Sequence, residues 1–360
     1  RAVNSIIIIM LKGVSLFSSA GIGEAYLKEA GIDIIAANEF LKDRANLYKE
    51  LYPKANVIFG DILDDKVYGE ILNKSGKKVD FLIATPPCQG MSVAGKNRDL
   101  SKMVDDKRNY LIFRVVDFIK EKNPDFVLIE NVPLLLKIEL PFNGKRCKVP
   151  EILNVLFQDK YIVESGIFDS SDYGVPQKRK RAIIRLYKKN YSWDLPKKEQ
   201  PVTVKDSIGK LPSLEAGQSS NIKWHFARKH STRQILCMQH TPTGKSAFEN
   251  RKYYPVKNDG EKIDGWKSTY RRMKWDEPAP AITIRNDAIS SHMNVHPGRH
   301  LNNGKYSDAR VLTPLELIIL TSLPKDWALP DDTPELLLRK CLGESIPPLM
   351  TQKIVSGIRK

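Results

Sequence analysis

Two short apolar runs, each followed by a loop with reactive side chains, constrain the fold most. Residues 79–84 (Val-Asp-Phe-Leu-Ile-Ala) and residues 124–129 (Pro-Asp-Phe-Val-Leu-Ile) both have the pattern of strands buried in a sheet. Open α/β sheets place their ligand sites at the carboxyl ends of parallel strands. We therefore predict that residues 85–92 and 130–132 lie at one edge of a sheet and belong to one site.

The first of these loops carries Cys88 directly after Pro86 and Pro87. Each proline fixes its own φ and favours an extended residue before it, which presents the thiol at a defined angle. A lone cysteine in an intracellular protein is more often a small buried apolar residue, so Cys88 alone does not identify a nucleophile. Glu130 follows the second run, and parallel neighbouring strands would bring its carboxyl group to the same edge as the thiol.

Three motifs in this order, Pro86-Pro87-Cys88-Gln89, Glu130-Asn131-Val132 and Gln177-x-Arg179-x-Arg181, resemble those of the DNA cytosine-5 methyltransferases of prokaryotic restriction–modification systems. The resemblance runs from Phe17 to about Ile354, and only residues 190–270 lack a motif. It implies an α/β fold: the doubly wound, mostly parallel, Rossmann-like sheet of class I S-adenosylmethionine-dependent methyltransferases, with a smaller, irregular target-recognition domain. The implied domains are residues 1–189 (catalytic and cofactor-binding), 190–309 (target recognition) and 310–360 (a return to the catalytic domain).

The chemistry of that family explains why these residue types are needed. Carbon 5 of cytosine is a poor nucleophile, and addition of a thiolate to carbon 6 moves electron density onto carbon 5. By resemblance, Cys88 is this thiolate and Glu130 holds a proton at ring nitrogen 3, a task suited to a carboxyl group with a raised pKa. Arg181 would face the base carbonyl oxygen and Arg179 the DNA backbone. The plain structural alternatives are a strand-end cap for Glu130 and a solvated face for the arginines.

Three strand ends near the start of the chain predict a binding site for S-adenosylmethionine, whose product is S-adenosylhomocysteine. Residues 18–23 form a turn of small residues, which we expect to open a helix of about two turns ending near Gly31. Glu39 and Asp61 follow the second and third predicted strands, where an acid is typical of a ribose or adenine contact. Ser19 and Ile22 stand where the family usually has glycine, and Glu344 replaces a common asparagine. The implied cofactor residues are Phe17, Ser19, Ala20, Gly21, Ile22, Glu39, Phe40, Asp61, Ile62, Pro87, Leu111 and Ser345.

The charge of the chain fits a polyanionic partner. Lys and Arg total 58 against 42 acidic residues, which gives a net charge of +16. Residues 177–189 contain seven Lys or Arg and no acid, which favours phosphate contact, although a basic chain can also bind RNA or simply be basic. We expect double-stranded DNA as the partner, read mainly by residues 193–267. The candidate DNA contacts are Gln89, Ser92, Arg108, Gln177, Arg228, Lys229 and Arg233.

The four cysteines, Cys88, Cys147, Cys237 and Cys341, are too widely spaced for a zinc site or a disulfide framework, so we expect no metal and a reducing, cytoplasmic setting near the nucleoid. The apolar run 6–11 is too short to span a bilayer, and no membrane association is expected. Met10 is a candidate start residue, and whether residues 1–9 are native stays open. We expect a monomer, with a cognate restriction endonuclease as a candidate partner.

Two alternatives stay open at this point. A transfer RNA cytosine-5 methyltransferase shares the catalytic motifs, but the Cys-Phe-Thr signature of that family is absent from the recognition stretch. A catalytically silent DNA-binding module would keep the fold, but Cys88, Glu130, Arg179 and Arg181 are all intact.

Overall fold

The computed structural model describes residues 10–87, 110–257 and 259–360. Its central feature is a seven-stranded sheet. Its strands are β1 (Leu11–Leu16), β2 (Ile32–Glu39), β3 (Asn56–Phe59), β4 (Phe81–Ala84), β5 (Phe126–Asn131), β8 (Tyr161–Asp169) and β9 (Lys180–Lys188). Two further pairs lie outside it: β6 (Glu139–Phe142) with β7 (Lys145–Lys148), and β10 (Ser192–Trp193) with β11 (Ile358–Arg359).

The helices are short and mostly follow the strands. They are α1 (Lys42–Leu51), α2 (Asp65–Lys74), α3 (Leu111–Lys122), α4 (Val149–Phe157), α5 (Val204–Ile208), α6 (Thr232–Gln239), α7 (Pro314–Leu320), α8 (Glu335–Glu344) and α9 (Pro348–Val355). Among the described residues there are also four 3₁₀ turns: Ile22–Glu24, Pro133–Leu136, Ser170–Tyr173 and Ala247–Glu249. In the part of the chain that the structure describes, no helix has the length and apolar character needed to cross a bilayer.

The sheet has the order β3-β2-β1-β4-β5-β9-β8, and every pairing from β3 to β5 is parallel. The predicted mostly parallel, doubly wound fold is confirmed. An antiparallel edge completes the sheet, because β9 runs antiparallel to both β5 and β8. The chain builds outward from β1 to β3 and then restarts on the other side with β4. The carboxyl ends of β1 and β4 therefore flank the topological switch point, where such sheets bind ligands.

The apolar runs that predicted the strands form the core of the sheet. All of β4 and β5 is buried, and the side chains of Val14, Leu82 and Val127 are fully buried beside residues of α3. Burial on both faces explains why these strands are continuously apolar and do not alternate. The two-turn helix expected from residue 22 to Gly31 is wrong, because only the 3₁₀ turn Ile22–Glu24 forms and hydrogen-bonded turns follow it.

The chain divides into two compact units. Unit 1 comprises residues up to 169, 180–197 and 351–360, and contains the sheet. Unit 2 comprises residues 170–179 and 198–350. The predicted domain boundaries at 189/190 and 309/310 stay a prediction.

Unit 2 is organised around a buried ionic cluster as much as around apolar residues. Arg310 is fully buried and donates to both carboxylate oxygens of Glu316, to Asp308 and to the carbonyl of Leu214. The guanidinium of Arg310 and the nearby imidazole of His296 hold the pKa of Glu316 at about 2, although burial acts in the opposite direction. Thr313 accepts a hydrogen bond from the N–H of Glu316 and starts α7, which gives this helix a capping box.

Candidate active site

The loop that follows β1 at the switch point has an unusual backbone. Phe17, Ser19 and Gly21 have φ values of 60°, 49° and 70°, whereas Ser18 and Ala20 between them are outside the positive region. A left-handed conformation costs roughly 1–2 kcal/mol for a residue with a side chain. Such outliers persist only where surrounding contacts fix them, and they occur preferentially at functional sites.

Three neighbouring parts of the chain supply those contacts. The Thr85 hydroxyl, after β4, donates to the carbonyl of Phe17 at 2.8 Å. Ser18 bonds the carbonyl of Asn38 at the end of β2, through its N–H at 2.9 Å and its hydroxyl at 3.0 Å. Tyr52, just after α1, donates its hydroxyl to the carbonyl of Gly21 at 2.7 Å. The loop shape is therefore set by residues distant in sequence.

Glu39 lies at the carboxyl end of β2, as predicted, and its carboxylate is already partly used. One oxygen accepts the N–H of Ser19 and the other the N–H of Leu41, each at 2.7 Å. Burial raises the pKa of Glu39, and the two N–H groups act against that rise. The N–H of Phe40 also bonds this carboxylate, so three N–H groups hold it at the end of β2.

A group of exposed apolar side chains lies beside Glu39 in the sequence and in the sheet. Phe40 is 61 % exposed and Phe59, which pairs with Glu39 across β2 and β3, is 50 % exposed; Leu41 and Leu63 are exposed as well. Exposed clusters of large apolar side chains are typical of ligand or partner sites. Asp61 is exposed at the end of β3, where one carboxylate oxygen accepts the N–H of Leu63 at 2.9 Å.

The remaining predicted cofactor residues are less accessible. Ala20, Ile22, Ile62 and Leu111 have buried side chains, so a ligand would reach these positions mainly through backbone atoms. Pro87 is half-buried after β4. Ser345, in unit 2, caps the end of α8 and is also half-buried.

Sequence reasoning missed a buried acid under the loop. The carboxylate of Glu24 accepts the Ser15 hydroxyl at 2.5 Å and, on its other oxygen, the Tyr48 hydroxyl. Burial raises the pKa of Glu24 to about 7, and these two hydrogen bonds oppose the rise. The only sequence signal is the spacing of Tyr48 and Tyr52, which places two phenols one turn apart on the helical side facing the loop.

The second half of the site lies at the ends of β4 and β5. Ala84 pairs with Ile129, so Glu130 and the loop starting at Thr85 share one edge, as predicted. The side-chain amide of Asn131 donates to the carbonyl of Pro86 at 3.0 Å and ties the two strand ends together.

Glu130 is buried and contacts one of the predicted arginines. The Nε of Arg181 lies 2.7 Å from a carboxylate oxygen of Glu130. Arg181 is on β9, the antiparallel neighbour of β5. A guanidinium and a carboxyl group held side by side can bind two adjacent polar atoms of one planar ring.

Arg179 and Gln177 do not have the predicted DNA-facing positions. Arg179 is 3 % exposed, and its guanidinium donates to the carbonyls of Ile282 and Gly343 at 2.7 and 2.8 Å. The side chain of Gln177 is buried too, and its amide bonds the carbonyl of Leu320 and the N–H of Ile282. The predicted phosphate contact is therefore not supported for either side chain, because both hold loops of unit 2 together.

The predicted contacts in the recognition stretch are mixed. Lys229 is exposed. Arg228 is half-buried in an ion pair with Glu335 at 2.9 Å, and Arg233 is exposed and donates to the carbonyl of Lys257. Four predicted residues lie outside the described part of the chain: Cys88, Gln89, Ser92 and Arg108.

Comparison with known proteins agrees with this arrangement. The family model for C-5 cytosine-specific DNA methylase matches residues 11–360. The type II methyltransferase M1.HgaI of Avibacterium volantium is 56 % identical, over 97 % of this chain and 98 % of that protein. The type II methyltransferase M1.HphI of Haemophilus parahaemolyticus is 29 % identical over 96 % and 86 %.

A crystal structure described as a DNA modification methyltransferase of an Escherichia coli prophage has the same fold. Its TM-score is 0.69 at 20 % identity, and the match covers 96 % of this chain and 98 % of that one. The family model spans the sheet, the switch-point loop and the Glu130–Arg181 pair. The chain belongs to the C-5 cytosine-specific DNA methylases.

Proposed function

We propose that the protein methylates carbon 5 of a cytosine extruded from a specific duplex DNA sequence, through a covalent adduct with Cys88. The observation that carries this proposal is the convergence of two strand ends. The Asn131–Pro86 hydrogen bond holds the residues just before Cys88 against the end of β5, where Glu130 and Arg181 form their pair. This convergence supports the proposal that Cys88, Glu130 and Arg181 act on one base as nucleophile, acid and cation.

Glu130 and Arg181 suit the two polar atoms on one side of the cytosine ring. Arg181 would donate to the carbonyl oxygen, and Glu130 would hold a proton at nitrogen 3. Both reduce the charge that develops on the ring when the Cys88 thiolate adds to carbon 6. Electron density then reaches carbon 5, the atom to be methylated, and loss of its proton afterwards allows the thiolate to leave.

The residues at the ends of β1, β2 and β3 fit S-adenosylmethionine. Exposed Phe40 suits a flat heteroaromatic ring, and an acid at the end of the second strand, as Glu39 is, suits vicinal hydroxyl groups. Asp61 lies at the next strand end, where an acceptor for an amino group is expected. When bound, the cofactor supplies an electrophilic methyl group on a sulfonium centre.

The biological role and the partners of the protein are part of the same proposal. The type II methyltransferases at 56 % and 29 % identity support a role in a restriction–modification system, with an endonuclease acting on the same site. We expect an intracellular monomer that binds double-stranded DNA. Extrusion of the target base is required, because carbon 6 of a stacked, paired cytosine is not accessible to a side chain.

A trapping experiment tests the proposal. Long duplex DNA, amplified with 5-fluorocytosine in place of cytosine, carries the trap at every cytosine, so one position need not be chosen in advance. With S-adenosylmethionine, we expect a protein–DNA adduct that survives denaturing electrophoresis, because fluorine cannot leave as a proton does. Cys88→Ala must not form the adduct. An adduct with Cys88→Ala, or none with the unmodified protein, would contradict the mechanism.

Substrate class is tested separately. Tritium transfer from labelled S-adenosylmethionine to plasmid DNA and to total transfer RNA should favour DNA by at least tenfold, a difference worth about 1.4 kcal/mol of transition-state stabilisation. Equal or preferential labelling of RNA would reject the DNA substrate. Bisulfite sequencing of plasmid from expressing cells would then identify the methylated sequence.

A further inference from the structure

Glu24 is a buried acid that the proposed chemistry does not use. It ends the 3₁₀ turn Ile22–Glu24, directly after the switch-point loop, residues 17–21. Only 6 % of the residue is exposed. Its two carboxylate oxygens contact two different elements, Ser15 on β1 and Tyr48 on α1. A buried carboxylate is stable only with such partners, and here both partners donate.

The same helix contacts the loop a second time. Tyr52, four residues after Tyr48, donates to the carbonyl of Gly21 at 2.7 Å, and the two rings lie 4.8 Å apart. A Cβ atom on Gly21 would lie 2.6 Å from the ring of Tyr52 and 2.7 Å from that of Tyr48, so the loop packs directly on both rings. The position of Tyr48 therefore controls the position of the loop.

We propose that Glu24 is a positioning residue for cofactor binding: by fixing Ser15 and Tyr48, its carboxylate holds the switch-point loop in the shape that binds S-adenosylmethionine and S-adenosylhomocysteine. This inference rests on the proposed function. Glu24 acts through the loop, and its effect belongs to cofactor affinity and not to the methyl-transfer step.

The ionised form is the one that fits the contacts. Both hydroxyl groups donate to Glu24, and a carboxylate accepts only. A protonated acid must donate one hydrogen, so either Ser15 or Tyr48 would have to reverse its hydroxyl. The polar groups that face Glu24 are the hydroxyl of Ser15 on β1, the phenol of Tyr48 on α1 and the phenol of Tyr52 just after α1. Burial and the carboxylate of Glu24 raise the pKa of both phenols, so they stay neutral and only Glu24 changes charge.

The direction of the pH effect follows. Because burial raises the pKa of Glu24 to about 7, protonation occurs near neutral pH. Cofactor affinity should therefore fall as the pH decreases from 8 to 6. A neutral amide at this position would mimic the protonated state at every pH and remove the dependence.

Calorimetric titration with S-adenosylhomocysteine tests this without any turnover. We expect Glu24→Gln to weaken binding of S-adenosylhomocysteine about tenfold at pH 8. This is the size of effect expected when one buried hydrogen bond is lost. The unmodified protein should lose at least threefold in affinity from pH 8 to pH 6, and Glu24→Gln should lose less than half as much. Under saturating S-adenosylmethionine, kcat should change less than threefold while KM for the cofactor rises.

Two further variants separate positioning from general stability. Tyr52→Phe removes only the hydroxyl that bonds Gly21 and should weaken binding about three- to tenfold. Glu50→Gln removes an exposed carboxylate from the same helix and should bind as the unmodified protein does. Circular dichroism confirms that each variant is folded at the titration temperature.

The outcomes are distinct. If the unmodified protein binds and Glu24→Gln binds within twofold of it at both pH values, Glu24 does not position the loop. The same conclusion follows if kcat falls and KM does not change. If the unmodified protein binds no S-adenosylhomocysteine, the cofactor assignment itself fails, and the positioning inference fails with it.

Discussion

Replacing Glu24 by glutamine should make the free energy of unfolding less dependent on pH, and the pKa of Glu24 sets the size of this effect. The carboxyl group has an ordinary pKa of 4.5, and burial raises it to about 7 in the folded protein. A group with a raised pKa binds its proton more tightly when folded. Its contribution to stability is therefore complete below pH 4.5, decreases as the pH rises, and is lost above about pH 7.

The magnitude follows from the two pKa values. At about 1.4 kcal/mol per pH unit, ionisation of buried Glu24 costs about 3 kcal/mol of unfolding free energy once the pH exceeds 7. Most of this loss, about 2–3 kcal/mol, falls between pH 5 and pH 8. Glutamine cannot ionise, so the Glu24→Gln protein lacks this loss. Any constant penalty from its rearranged hydrogen bonds cancels when the two pH values are compared.

Urea unfolding at pH 5 and pH 8, followed by circular dichroism, measures the effect. The free-energy difference between Glu24→Gln and the unmodified protein should shift by about 2–3 kcal/mol in favour of glutamine at the higher pH. Glu50→Gln, with its carboxylate exposed on α1, should change stability by less than about 0.5 kcal/mol. A Glu24→Gln difference that stays constant within about 0.5 kcal/mol would show that Glu24 does not carry the expected pKa, and would refute the reasoning.

Three more predictions concern Gly21, Arg310 and Glu130. Gly21→Ala should lower the unfolding free energy by about 2–4 kcal/mol, because φ is 70° and the new methyl group meets Tyr52 at 2.6 Å; thermal unfolding measures this. Arg310→Ala should cost about 3–5 kcal/mol in urea unfolding, since it leaves Asp308 and Glu316 charged and buried, and a cost below 1 kcal/mol would contradict that role. Glu130→Gln should reduce single-turnover methylation about 10²- to 10⁴-fold with DNA affinity retained, and a nearly unchanged rate would remove Glu130 from the chemistry.

The strands of the sheet could be predicted from the sequence, because a buried strand appears in it as a short run of apolar residues. Strands β4 and β5 are buried on both faces, so their apolar runs are continuous and their ends can be located within two residues. The capping box at Thr313 is equally local, because both of its hydrogen bonds join residues three apart. Features determined by contacts within a few residues were predictable.

The segment after the switch-point loop was mispredicted for the opposite reason. Its turn of small residues and Gly31 suggested a two-turn helix, but Gly21 is held by Tyr52 and Glu24 by Tyr48, each more than twenty residues away. These contacts fix a single 3₁₀ turn. Local propensity could not reveal them, because they depend on how α1 packs against β2 and β3.

The basic cluster before β9 shows how a charge count can mislead. Residues 177–180 alternate between buried and exposed: Gln177 and Arg179 face inward, whereas Lys178 and Lys180 face outward. An extended chain points successive side chains to opposite sides, so half of a dense basic run can be structural. Of the two exposed lysines, Lys178 already pairs with Glu277 at 3.2 Å, so exposure alone does not identify a phosphate contact either.

The switch-point loop and the adjacent Glu24 lower the stability of the fold. Phe17 and Ser19 have positive φ, each at a cost of roughly 1–2 kcal/mol, and buried Glu24 adds about 3 kcal/mol above pH 7. Together these costs are comparable to the whole net stability of a typical domain, about 5–15 kcal/mol. Packing of the sheet does not require them, because β1 ends at Leu16. Since function is the remaining reason to retain them, one substitution, Glu24→Gln, should remove the loss of stability between pH 5 and pH 8 and weaken cofactor binding at pH 8. Removal of that loss with binding unchanged would show that the strain in this loop serves something other than the cofactor.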